Sequence, residues 1–83
     1  MRFVLVLESG FHFFDTLPDL IGALSVAHEF KPFPKDWNFD AKALIGEESL
    51  DLVITGIKFS DHMNFGLSDE SRKAFNEFEK VHV

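Results

Sequence analysis

The sequence contains no cysteine. Disulfides, thiolate metal sites and thiol catalysis are therefore excluded. Small secreted domains usually lean on disulfide staples, so their absence points to a reducing, cytoplasmic setting. No apolar stretch approaches the roughly 18 residues of a membrane span. The opening MRFVLVLESG places only five apolar residues between Arg2 and Glu8, too few for the hydrophobic region of a signal peptide. Phosphate-binding glycine motifs are missing: Gly10, Gly22, Gly46, Gly56 and Gly66 are scattered, with no GxGxxG or GxxxxGK[ST] pattern, so no phosphate cradle is visible. Basic residues are scarce, 8 against 14 acidic ones, for a net charge of −6. Such a chain is a poor ligand for a phosphate backbone. It suits either plain solubility or a partner with a basic face.

What is present describes one domain over residues 1–83. The chain is 46% hydrophobic and 14% aromatic, hence globular, with room for about four or five elements. Residues 2–7 are a continuous apolar run, the pattern of a strand buried on both faces and therefore central. Ser9 and Gly10 end it. The following FHFF reads as a short second strand or as a loop folded over the core. Thr16 opens the first helix, with Asp19 three residues on and Pro18 in the first turn. Leu17, Leu20, Ile21, Leu24 and Ala27 mark its buried stripe. Its other side, Gly22, Ala23, Ser25 and Val26, is uncharged, which fits a helix covered on two sides or a contact with another chain.

Pro32 and Pro34 exclude helix and central strand alike. A second helix is expected from Asn38 or Asp40 through Ala41, Ala43, Leu44 and Ile45, ended by Gly46. Residues 50–59 form a second strand. Leu50, Leu52 and Ile54 are even-numbered, Ile57 and Phe59 odd, so a bulge is expected at Gly56. SDHMNFGL reads as a loop. Ser68 then caps a last helix whose apolar stripe is Ala74, Phe75, Phe78 and Val81, with a short last strand at 81–83. Strands separated by helices predict an α/β fold: a small layer of two or three largely parallel strands packed against three helices.

Motifs for catalysis are weak. His12, Asp15, Asp61 and His62 have the ligand chemistry for zinc or manganese, which supports a metal-dependent enzyme only as a minor alternative. No HExxH spacing places two histidines on one helical face. Ser60, Asp61 and His62 supply the residue types of a triad, but adjacent residues do not converge as nucleophile, base and orienter. His28 falls near a helix C-terminus, a favourable place for a protonated imidazole. No enzyme, cofactor or resident metal is expected.

Aromatic residues concentrate in 30–44, FKPFPKDWNFDAKAL, with the single Trp, two of three Pro and three of eleven Phe. Phe30, Phe33, Trp37 and Phe39 either roof the core or form a recognition surface. A stiff loop bearing Trp37 between Asp36 and Asp40 suits a basic protein cleft. Here the chain resembles the barstar family of ribonuclease inhibitors. Asn38-Phe39-Asp40-Ala41 matches that family's Asn-x-Asp-Ala pattern, Leu17-Pro18-Asp19-Leu20 and Leu24 its first helix, and LDLVITGIKF with LSDESRKAFNEFEK its second strand and last helix. The resemblance implies a parallel sheet flanked by helices, and an inhibitor that lays an acidic helix face into a ribonuclease active site. It assigns the inhibitory carboxylate to Asp40. The family's second inhibitory acid falls at Leu44, its preceding aromatic is closest to Trp37, and its late acidic position falls near Lys80, with Glu79 beside it. The expected function is a non-enzymatic inhibitor or immunity protein for a nuclease-like toxin. Asp36, Trp37, Asp40, Phe33 and Glu79 would form the contact. The other reading is a structural or regulatory subunit, a homodimer formed through the first helix.

Overall fold

The computed structural model describes residues 1–31, 33, 37–59 and 62–82, with 57–59 and 62 by backbone alone. Strands β1 (Arg2–Leu7) and β2 (Gly10–Phe14) precede helix α1 (Leu17–Phe30). Strands β3 (Asn38–Ile45), β4 (Glu48–Phe59) and β5 (His62–Leu67) follow, then helix α2 (Asp69–His82). The strands form one sheet in the order β2-β1-β3-β4-β5, and every neighbouring pair is antiparallel. This corrects the expected layer of largely parallel strands with three helices: two helices pack on a five-stranded antiparallel sheet.

The correction originates in residues 38–45, which are a strand. Burial alternates along it, with Phe39, Ala41 and Ala43 inward and Asn38, Asp40 and Lys42 outward, the period of two of a pleated strand. Gly46, at φ 58°, begins the tight turn into β4 and does not end a helix. Residues 62–67, expected as a loop, form β5, paired to β4 from Phe59↔His62 to Ile54↔Leu67. The strand expected at 81–83 is absent among the described residues, because α2 continues to His82; Val83 lies outside them.

Residues opposite each other in an antiparallel ladder share a face. One row across the sheet is Phe14, Phe3, Ala43 and Leu50; others are Leu5, Ala41 and Leu52, and Phe39, Ile54 and Leu67. This face carries the core and receives Leu17, Leu20, Ile21 and Leu24 of α1 with Phe75 and Phe78 of α2. The opposite face is bare of helices. Its rows are Phe13, Val4, Lys42 and Asp51, then Phe11, Val6, Asp40 and Val53. Val4 is nonetheless buried there, flanked in the register by Phe13 and Lys42.

Thr16 caps α1, its Oγ1 accepting from the Asp19 amide at 3.2 Å, as the sequence predicts. Gly22 and Val26 are exposed, so α1 is covered on one side only, and double cover is not the reason for its uncharged outer stripe. Nor is there a bulge at Gly56, since both ladders of β4 run without interruption. A Cβ there would sit 3.1 Å from Cε1 of Phe65 and 3.0 Å from Sδ of Met63, so both side chains would have to give way by a few tenths of an ångström.

β5 pairs with only residues 54–59 of β4, which leaves the other half of that strand an open edge. The segment that opens α2 satisfies that edge at Val53. The Val53 amide donates to Ser71 Oγ at 2.8 Å, and the Val53 carbonyl accepts from the Ser68 amide at 2.9 Å. Ser68 also caps the helix, its Oγ accepting from the Ser71 amide at 3.2 Å. Among the described residues no helix is long and apolar enough to cross a membrane.

The far end of α2 is tied to the β3–β4 turn by His82. Its Nδ1 lies 2.8 Å from the Phe78 carbonyl and its Nε2 2.9 Å from Glu48 Oε2. Both partners are acceptors, so the doubly protonated ring is favoured and its pKa is raised, chiefly by the carbonyl and next by the carboxylate. A raised folded-state pKa gives stabilisation that is complete below the usual value of about 6.5. It is lost as pH climbs through the folded pKa. The melting temperature of the wild type is therefore expected to exceed that of His82→Gln at pH 6, and the gap to narrow as the pH is raised to 8.5. A gap independent of pH would mean that the ring acts by packing alone.

Candidate functional site

The aromatic segment leaves α1 at Lys31, whose amide donates to the Ala27 carbonyl at 2.9 Å. His28, one turn earlier, anchors Phe33. Its Nδ1 accepts from the Phe33 amide at 2.9 Å, and the two rings stack at 5.7 Å. At this helix end His28 thus serves as the acceptor that fixes the start of the aromatic segment. Phe33 turns inward. Its ring meets Phe39 edge-on at 4.8 Å and Phe65 at 6.1 Å, the tilted geometry that aromatic pairs prefer. Trp37 comes next, its ring 6.3 Å from Phe39, its carbonyl accepting from the Gly56 amide at 3.4 Å, and 49% of its surface in solvent.

β1 ends beside this segment. Val6 and Leu7, with Phe33, Trp37 and Phe39, line a cleft of about 800 Å³ whose exposed polar residues are Glu8, Ser9, Lys31, Asn38 and Asp40. An apolar floor with a few polar groups at the mouth is the usual form of a recognition site. The lining holds two carboxylates and one ammonium. The acids Asp15, Asp51, Glu77 and Glu48 all have ion-pair partners. Among the described residues Glu8 and Asp40 have none.

The structure thus brings together Phe33, Trp37 and Asp40 and separates Glu79 from them. Phe33 is half-buried ballast, Trp37 stands at the mouth, and Asp40 projects from β3 between Val6 and Val53 in the register. Asp36 lies outside the described residues. Glu79 is half-buried on α2 and does not line the cleft. Asn38 to Ala41 begin a strand and not a helix, so the helix start that the ribonuclease-inhibitor resemblance implied is absent. Glu8, Phe11 and Phe13 were missed by sequence reasoning. The alternation within FHFF, once assigned to a strand, would have placed both phenylalanines on one face.

The histidine cluster does not assemble among the described residues, where no group of three His, Asp or Glu side chains is placed to hold a metal. His12 is exposed, with Ser9 Oγ 3.0 Å from its Nε2. Asp15 reaches Arg2 at 4.0 Å. Ser60 and Asp61, and the side chain of His62, lie outside the described residues. No family model matches the chain, and no match is found among curated proteins or solved structures.

Proposed function

We propose that this chain is a non-enzymatic protein-binding inhibitor of the immunity-protein kind, which sets the Trp37–Asp40 mouth of its cleft against the basic active-site surface of a nuclease-like toxin. The observation that carries the reading is a half-exposed indole in one cleft mouth with two exposed carboxylates, Glu8 and Asp40. Tryptophan is a frequent anchor of binding energy. Exposed carboxylates steer and orient a cationic target. Phe33 is held by the His28 hydrogen bond and by the Phe39 and Phe65 rings, and Trp37 packs against Phe39. An anchor already placed loses less conformational entropy on docking.

The test is inhibition of a panel of basic, secreted-type ribonucleases and deoxyribonucleases by the purified chain. One target is expected to be blocked stoichiometrically. Trp37→Ala and Asp40→Lys should each weaken that inhibition at least about tenfold, or roughly 1.4 kcal/mol. Both side chains are substantially exposed, so folding stability should change by less than about 1 kcal/mol. Unchanged inhibition by both variants, or no inhibition of any basic nuclease, would remove the reading.

A further inference from the structure

The two edges of the sheet differ. Natural edge strands are guarded by lysine, proline, bulges or inward-pointing charge. β2, GFHFF, has none of these and contains no Asp, Glu, Lys or Arg. It exposes Phe11 by 68% and Phe13 by 53%, whereas no described residue of β5 is among the exposed large apolar side chains.

Main-chain bonding makes the exposure specific. The turn between β1 and β2 has two residues, so Leu7 and Gly10 form a hydrogen-bonded pair and pairs alternate from there. Leu5↔His12 and Phe3↔Phe14 are bonded; Val6↔Phe11 and Val4↔Phe13 are not. The same alternation carried across the sheet aims Val53 away from β3, where its amide and carbonyl are found bonded to Ser71 and Ser68. On β2 it aims the N–H and C=O of Phe11 and Phe13 outward.

We infer that β2 is a self-complementary docking edge, on which a second copy of this chain pairs antiparallel through Phe11 and Phe13 about a two-fold axis at His12. In that register Phe11 of each copy faces Phe13 of the other as a hydrogen-bonded pair, and all the outward groups of both residues are satisfied. An isologous contact requires such self-matching. The two sheets join into one, with the helices on one side and four phenylalanines grouped on the bare side. The strand itself is uncharged, and at its end Arg2 lies over the Phe13 ring at 5.2 Å and reaches Asp15. Of the acids behind the net charge of −6, Glu8 and Asp15 flank the strand; Asp15 reaches Arg2, and Glu8 is the opposing charge at each end of the pairing. A five-residue strand gives a small interface, so the dimer is a reversible one seen at high micromolar concentration. Trp37 and Asp40 lie off the paired strand, while Glu8 and Ser9 of the cleft lead directly into it at Gly10.

Light scattering of the full chain over a concentration series tests this. Dimer is expected at high micromolar concentration. Phe11→Pro removes an outward N–H and no bond to β1, and should give monomer with an unchanged circular dichroism spectrum. Val26→Lys, on the outer side of α1, should leave the dimer intact. The chain has no cysteine, so His12→Cys supplies a single thiol. Across the axis the two residues form a non-bonded pair with Cα atoms about 4.5 Å apart, within disulfide reach. It should oxidise to a covalent dimer much faster than Phe11→Cys, whose two copies lie a diagonal apart. Monomer at every concentration overturns the inference. So does a dimer that survives Phe11→Pro, a dimer lost with Val26→Lys, including one held through α1, or equal oxidation of the two thiol variants. If Phe11→Pro fails to fold, the ratio of thiol oxidation rates decides alone.

Discussion

Ile54→Ala should cost about 3 kcal/mol of folding free energy. Ile54 is fully buried, sits between Phe39 and Leu67 in the register, and belongs to the layer on which the helices rest. Truncation removes apolar surface and leaves a cavity that the surrounding rings do not fill. A domain of 83 residues has a total stability on the order of 4–12 kcal/mol, so the loss is a large fraction of the whole. Urea unfolding would show it as a lowered midpoint at constant slope. Val26→Ala, on the exposed side of α1, should shift the midpoint by less than about 0.5 kcal/mol. Equal losses from the two substitutions would contradict the one-sided core.

Gly56→Val is expected to cost about 2–3 kcal/mol through overpacking. The new side chain would enter the space of Phe65, whose ring is held by His28, Phe33 and Phe39 and yields little. Combining it with Phe65→Leu should recover part of the loss, a non-additivity diagnostic of direct contact. At a bulged glycine free of such contact, valine would cost the same with either residue at position 65.

Gly56 also shows where the sequence misled, since the expected bulge there is an unbroken ladder. The helices were legible because each has a local start signal that the structure uses: Thr16 bonding Asp19 and Ser68 bonding Ser71. β1 was legible as an uninterrupted apolar run. Residues 38–45 were not. Asn38 and Asp40 look like helix caps, Ala41 and Ala43 are good helix formers, and a left-handed glycine such as Gly46 serves equally to end a helix or to turn a hairpin. The deciding information is tertiary: Ala41 and Ala43 are buried on the central strand, with Leu5 and Leu52, and Phe3 and Leu50, on either side. Once this segment is a strand, the supposed crossover becomes a hairpin and the parallel sheet disappears. β5 was hidden by Asn64 and Gly66, which read as turn residues, although Met63, Phe65 and Leu67 alternate with them. Of the proposed site, Trp37 and Asp40 could be read from composition. Glu8 could not, because it joins them only through the pairing of β1 with β3.

The unequal lengths of β4 and β5 leave the final helix stitched to the sheet by peptide groups as well as by side chains. Peeling that helix away would strip the Val53 amide and carbonyl of their partners and bare that point of the strand to any passing chain. Its hold on the sheet is therefore also a safeguard against the molecule sticking to its neighbours along that margin.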